Sequence, residues 1–393
     1  MSFRRAARAA LGSPRGLPRV PATLAAIVVI ALAGVCLSCS KNDNGGLQAG
    51  PNHNAYVTLP QKGSVLLLQI NGTTGAITLG PETPEVTGTS PTGLAMTPNR
   101  KFLYAVNSRA NTISIFSVAA NGTLTLTSTP TAAGNGADAA VVDPSGSYLL
   151  VTNSADSTVS VFSIDSGSGA LAQTGPAVDA NLNPTEIVIT HSGNFVYVTN
   201  PGIGMVTGFS FSGGLLTPLT STPVFSGAGA SGLAVDGSDR FLYVTNPTAT
   251  YPEQSSVGSV SGFTIDSSSG ALTTMIGSPF TSINTLSGPT AVTVDPSGTF
   301  VYAVAPGSSF AIWCFAITPL TGQLTAVTNS PFSDAAGGLF ALIDPRGNFF
   351  YIGTQSGSGI EAYTYNTSTG APTLISGAPF STGTAPGKMV LSE

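Results

Sequence analysis

Phe195-Val196-Tyr197-Val198-Thr199-Asn200 is one copy of a phrase that returns along the chain. It appears as Ala55-Tyr56-Val57-Thr58, then at Phe102–Asn107, Tyr148–Asn153, Phe241–Asn246, Phe300–Ala305 and Phe349–Thr354. Measured from Tyr56 through positions 104, 150, 197, 243, 302 and 351, the spacings are 48, 46, 47, 46, 59 and 49 residues. Each copy is an apolar, aromatic and β-branched run of strand length, and self-similarity at this period marks a propeller or a solenoid.

Two further phrases keep step with the first. An alternating strand follows it, as in Thr112-Ile113-Ser114-Ile115-Phe116 and Thr158-Val159-Ser160-Val161-Phe162. Its period of two, apolar against hydroxyl, predicts a half-buried strand. A glycine then opens an outer strand at Gly75, Gly122, Gly169, Gly214, Gly270, Gly322 and Gly370, seven times in all. Ahead of the first phrase sits a tight turn such as Asp143-Pro144-Ser145-Gly146 or Asp295-Pro296-Ser297-Gly298, where proline presets φ and glycine supplies a positive φ. A short inner strand precedes each turn, for example Pro289–Val294. The C-terminal Pro386–Leu391 has the inner-strand pattern with no second strand after it, and Pro51–Val57 supplies the missing partner. An open solenoid needs capping repeats with a polar outer face, and both end segments here are apolar strands. The expected fold is therefore all-β: a seven-bladed β-propeller closed by pairing the N- and C-terminal strands in one blade, which removes free sheet edges.

The charge distribution isolates the first residues. Five of the 13 basic residues, Arg4, Arg5, Arg8, Arg15 and Arg19, precede residue 20, and the chain beyond residue 38 keeps 8 basic against 18 acidic residues. That balance argues against a nucleic-acid groove. The arginines lead into the apolar run 22–34 and then Leu37-Ser38-Cys39. This reads as a secretory signal over 1–39 ending like a lipobox, although Cys36 stands where leucine is usual three residues before Cys39. Lipidation at Cys39, an uncleaved anchor and plain secretion all remain open. Residues 40–50 form a flexible tether, and the propeller domain spans 51–393. The expected location is the bacterial cell envelope, at the periplasm or cell surface, on a lipid anchor, and the expected state is a monomer. Cys314, beside Trp313, is the sole cysteine beyond the signal and reads as a small buried hydrophobe.

The Tyr-Val-Thr-Asn phrases at 197–200 and 243–246, the Asp-Pro-Ser-Gly turns and the Ser-Gly-Ala-Leu segments at 168–171 and 269–272 resemble the seven-bladed lactonase family, which includes 6-phosphogluconolactonases. The resemblance covers about residues 51–393 and implies a lactone-hydrolysing propeller without a cofactor. The family tends to place His and Arg at the starts of the inner strands, four or five residues before the turn. Those slots here hold neither, but they do hold Asp138, Glu186 and Lys388.

Inner-strand starts and the loops after the second strands share one face of a propeller, around the channel mouth. The expected functional centre is Glu186, as general base toward a lactone carbonyl, with Lys388 for the oxyanion. Arg109, Asp138, Asp156, Tyr251 and Glu253 are expected ligand contacts, the last two in a loop whose insertion explains the long spacing of 59. His53 and His191 map to turns on the other face, and no metal-ligand spacing or phosphate loop occurs. Asp236-Gly237-Ser238-Asp239 fills an ordinary turn slot, which weakens a calcium reading. A phosphorylated substrate wants an arginine clamp that the slots lack. Two functions follow: an exported lactonase acting on a small-molecule lactone, or a non-catalytic, surface-tethered propeller that recognises a glycan, a protein or another cell-envelope component.

Overall fold

The computed structural model describes residues 50–392, apart from 82–83, 248–257, 282–287, 307–311, 334–336 and 356–358. The signal segment with Cys39, most of the tether, and Tyr251 and Glu253 lie outside the described residues. The described residues form seven antiparallel sheets and contain no helix. Each sheet is built on a four-strand meander, inner, second, third and outer, and in five of them a short fifth strand also pairs with the third. Numbering blades by their inner strands, blades one to six begin at Pro91–Met96, Ala137–Val142, Ile187–Ile189, Leu233–Val235, Ala291–Val294 and Gly338–Ile343. Blade seven takes its inner strand, Met389–Ser392, from the C-terminal end and the other three from the N-terminal end. There Val57 pairs with Met389 and Asn54 with Ser392, closing the ring as the sequence predicts.

The seven second strands carry the core. Phe102–Asn107, Phe195–Asn200, Phe241–Asn246 and Phe349–Thr354 are buried at every position, because a blade covers each face. Each fully buried aromatic or aliphatic side chain contributes roughly 1.5–3 kcal/mol of transfer free energy. Exposure rises at the outer strands, such as Leu124–Leu126, where one residue of three is buried.

The blades are joined by a repeated side-chain clasp. Within the second strand, the Phe and Tyr two residues apart face the next blade. The Tyr hydroxyl donates to the carbonyl of the glycine that opens that blade's outer strand. Tyr56 reaches Gly122 at 2.6 Å, Tyr104 reaches Gly169 at 3.0 Å, and Tyr197, Tyr243 and Tyr302 reach Gly270, Gly322 and Gly370 at 2.7, 2.8 and 2.7 Å. The glycine is left-handed, with φ +70° at Gly270, and a Cβ there would stand 2.3 Å from the Phe195 ring. Blade two has Leu150 at the tyrosine position, and the Gly214 carbonyl instead accepts the Thr174 hydroxyl at 3.1 Å. Cys314 lies in the same layer: it is buried, its thiol is pushed up to about 12 by that burial, and its Sγ is 3.5 Å from the Gly370 carbonyl.

The third strands differ from expectation. Alternation predicts half-burial, yet the central residues Ile113–Phe116 and Val159–Phe162 are buried on both faces. In the four blades whose second strand ends in asparagine, that side chain makes this possible. Asn107 donates to Thr112 and Ser114 at 3.2 and 3.0 Å, and Asn153 to Thr158 and Ser160 at 3.1 and 2.9 Å. The hydroxyls enter the interior already bonded, so their desolvation is offset.

The turns between inner and second strands are also built from side chains. Asp295 Oδ1 accepts the Thr299 and Phe300 amides at 2.7 and 2.6 Å, and Asp143, Asp236 and Asp344 do the same in their turns. Thr97 and Thr190 replace the aspartate in blades one and three, each hydroxyl accepting the phenylalanine amide at 3.1 Å. The residue after the turn's third position is left-handed: Gly146, Gly193, Gly298 and Gly347 fill it in four blades, Arg100 in blade one and Asp239 in blade four. A non-glycine residue there costs roughly 1–2 kcal/mol.

Two substitutions test the clasp. Gly270→Ala should destabilise by more than about 1 kcal/mol through its φ alone, with the Phe195 contact added. Tyr243→Phe, which strands a buried carbonyl, should cost about 1–3 kcal/mol. Denaturant unfolding of both variants against the parent measures these losses, and two unchanged midpoints would remove the clasp as a source of stability.

Candidate functional site

The inner strands begin at one rim of the channel, and in blades two, three, four and seven a threonine near the end of the second strand holds that start in place. The Thr199 hydroxyl accepts the Glu186 amide at 3.2 Å and donates to the Ser231 carbonyl of the next blade at 2.9 Å. The Thr58 hydroxyl accepts the Lys388 amide at 2.8 Å. The Thr152 hydroxyl accepts the Ala139 amide at 3.0 Å, beside the register shift that sets Asp138 out of the ladder between Ala137 and Ala140. Thr92 donates to the Asp138 carbonyl at 3.0 Å. A belt of hydroxyls thus fixes the backbone at the points where the rim side chains leave it.

Three ionisable side chains converge inside this belt. Lys388 of blade seven reaches Glu186 of blade three across the ring, Nζ to Oε2 2.5 Å. Both are half-buried, and the pair is still wetted on one side, so it stabilises by no more than about 1 kcal/mol. Asp138 of blade two shares their electrostatic field. Its pKa is raised, first by burial and then by the Glu186 charge, against the opposing pull of Thr92 and Lys388. Two carboxylates and one ammonium therefore share the mouth, and the uncompensated carboxylate is Asp138. Such a trio can accept a proton, return it, and hold a developing oxyanion.

The other expected contacts lie apart from this trio. Asp156 is exposed, and its carboxylate accepts the Asn135 amide and side chain at 2.7 and 2.9 Å, hydrogen bonds that hold its pKa below the usual range. It staples the loops of its own blade. Arg109 is exposed and lines a cleft of about 570 Å³ on the mouth side between blades seven and one, together with Lys62. Sequence reasoning missed Lys62, although its place in the loop Pro60–Gly63, directly after a second strand, is the signal that would have found it. On the far face, His191 Nδ1 is 2.9 Å from Asp239 Oδ1, and the His191 and Ser192 amides also donate to that carboxylate. Asp236 is engaged within its own turn. Among the described residues, no group of His, Cys, Asp and Glu is arranged to hold a metal ion.

A family model described as "Lactonase, 7-bladed beta-propeller" matches residues 49–183 and 186–385. The chain belongs to this lactonase family. Among solved structures it is similar to a protein named as a candidate 6-phosphogluconolactonase from Bacteroides uniformis, with 19% identity, 88% of this chain and 100% of that chain covered, and a TM-score of 0.73. It is likewise similar to the periplasmic gluconolactonase of Pseudomonas aeruginosa, with 17% identity, coverage of 87% and 99%, and a TM-score of 0.70. At these identities the likeness shows the fold alone. No curated protein matches the sequence. Family membership agrees with the seven repeats and the closure. The lactonase propeller here carries acid and amine at the inner-strand starts.

The raised Asp138 pKa has a consequence for stability. The folded state binds that proton more tightly than the unfolded chain does, so ionising Asp138 disfavours folding as pH rises from the ordinary carboxylate range through the raised value. Asp138→Asn should therefore melt higher than the parent at neutral pH, with the gap closing below about pH 3.8. Thermal melts across that range check it, and a variant less stable at pH 7 would contradict the burial of this carboxylate.

Proposed function

We propose that this lactonase-family propeller hydrolyses an uncharged lactone at the channel mouth, outside the cytoplasm. The observation that carries the reading is the convergence of Asp138, Glu186 and Lys388 from three blades on one rim. Asp138 takes a proton from water as the water oxygen bonds to the lactone carbonyl carbon. The carbonyl oxygen becomes an oxyanion beside the Lys388 ammonium, where an aligned cation is most effective. The tetrahedral species then collapses: the bond from acyl carbon to ring oxygen breaks, and Asp138 returns its proton to the departing alkoxide. Glu186, held on Lys388, aims the ammonium. This exchanges the base role between the two carboxylates relative to the sequence reading, because the Glu186 carboxylate is already engaged by the Lys388 ammonium. An uncharged lactone suits a mouth whose inner-strand slots lack arginine, and the periplasmic gluconolactonase of P. aeruginosa is a relative of matching chemistry.

Export rests on the arginine-led apolar segment and the lipobox-like Leu37-Ser38-Cys39. In this reading Cys39 carries the anchor, the tether spaces the propeller from the membrane, and the protein works as an envelope-bound monomer. Mass spectrometry of protein extracted from membranes should find a diacylated Cys39 at the mature N-terminus; a mature chain that starts elsewhere and lacks lipid would refute it.

One observation favours the second reading, a non-catalytic propeller binding a cell-envelope ligand: Glu186 and Lys388 already satisfy one another. Turnover separates the two. With δ-gluconolactone and related unphosphorylated lactones, Asp138→Asn should lower kcat by about 10²–10⁴-fold and Lys388→Met by about 10²–10³-fold, with smaller changes in KM. The parent rate should fall as acid protonates Asp138, at a pH above the ordinary carboxylate range. Equal rates in parent and both variants would leave the binding reading in place.

A further inference from the structure

The face opposite the mouth carries a site of its own. Six blades have a turn joining inner to second strand there. Blade seven draws those two strands from opposite ends of the chain, so no turn joins Ser392 to His53. A cavity of about 730 Å³ opens over that gap, a volume typical of small-molecule sites. The turns on either side supply cations to it, Arg346 from blade six and Arg100 and Lys101 from blade one. No aspartate or glutamate is among its described lining residues. This concentration stands out in a chain that beyond residue 38 has 8 basic against 18 acidic residues. Arg346 is anchored, 3.6 Å from the buried Asp344 carboxylate and 3.1 Å from His53 Nδ1. Arg100 and Lys101 are exposed.

Backbone conformation gives an independent reason to read Arg100 as a ligand-binding side chain. Its φ is +60°, in the turn slot that glycine fills in four blades. Asp239 is the other non-glycine residue in that slot, and its carboxylate visibly ties down the preceding blade's turn through the His191 and Ser192 amides. Arg100 makes no comparable bond to a neighbouring turn among those seen, and its side chain lines the cavity. A strained backbone retained for one side chain points to a role for that side chain.

We propose that this seam cavity binds a phosphate ester, its oxyanion held chiefly by Arg100 and Lys101, with Arg346, already ion-paired to Asp344, beside them, and its polar body by the amides of Asn52 and Asn99. A guanidinium and an ammonium, with a second guanidinium beside them, suit the non-bridging oxygens of a phosphate, two in a diester and three in a monoester. The ester has two possible sources, a soluble phosphate monoester or the phosphodiester headgroup of an anionic lipid. The site lies on the face away from the mouth, so it does not depend on lactone turnover.

Calorimetric titration of the full chain with glycerol 3-phosphate, glycerophosphoglycerol and glycerol tests it. The parent should bind at least one phosphate ester and not glycerol, more weakly as ionic strength rises from about 0.05 to about 0.5 M. Arg100→Gly should lose at least tenfold in affinity while melting no lower than the parent, because glycine accepts this turn conformation without strain. Lys101→Gln should weaken binding in the same direction. Tighter binding of the monoester identifies a soluble ligand and of the diester a lipid headgroup, and either upholds the site. Failure of both esters to bind, or an Arg100→Gly variant that binds as the parent does, would overturn it.

Discussion

A buried tyrosine hydroxyl, bonded to the carbonyl of a left-handed glycine one blade further on, makes seven sheets into one ring. Each blade by itself is a small sheet of four or five strands with two apolar faces, and such a sheet has no stable existence in water. Stacking buries both faces, but apolar contact is non-directional and would allow neighbouring blades to slide. The hydroxyl bonds, 2.6–3.0 Å in five of the seven junctions, fix the register of one blade on the next. The glycine is required twice over, for its φ and for the space its missing Cβ leaves to the aromatic ring of the preceding blade. Where Leu150 breaks the pattern, a different hydroxyl, that of Thr174, takes the same carbonyl. The need for that bond is thus stronger than the need for tyrosine.

This explains why so much of the fold is legible in the sequence. Tyrosine and glycine recur at a fixed spacing because each answers the other across a blade junction, and the copies can be counted without knowing that they touch. Closure is legible for a related reason: Pro386–Leu391 and Pro51–Val57 are complementary halves of one pattern. The burial of the third strands is not legible in the same way, because alternation of hydroxyl and apolar residues describes polarity, not exposure. Asn107 and Asn153 convert a polar face into an interior one by bonding its hydroxyls, and a bonded hydroxyl is nearly as easily buried as a methyl group.

The site divides in the same way. That Asp138, Glu186 and Lys388 belong to the mouth follows from their places in the repeat, since each stands at the start of an inner strand. Their mutual arrangement does not follow. Glu186 and Lys388 are 202 residues apart, and their contact depends on the width of the channel, a property of the whole ring. The raised pKa of Asp138 was equally hidden, because it arises from burial and from a charge on another blade. Asp156 shows the reverse case. Its position in a mouth-side loop is right, but a neighbouring asparagine captures it, and only coordinates reveal a local hydrogen bond of that kind.

Strain and chain topology give the two faces of the ring different characters. On the mouth side, the threonine of the repeated phrase supports every inner strand it meets, so identity among blades is useful and the special residues are the few that point inward. On the far side the turns are nearly uniform, and departures from uniformity carry the information. Asp239 departs from glycine and bridges to the preceding blade's turn; Arg100 departs and faces the seam where blade seven has no turn. Ring closure by strands from opposite chain ends therefore does more than seal an edge. It removes one of seven equivalent turns and leaves a concavity that a perfectly repeated ring could not have, flanked by the cations of the two adjoining blades. The most symmetrical requirement of the fold, that the last sheet meet the first, thereby creates its one built-in asymmetry.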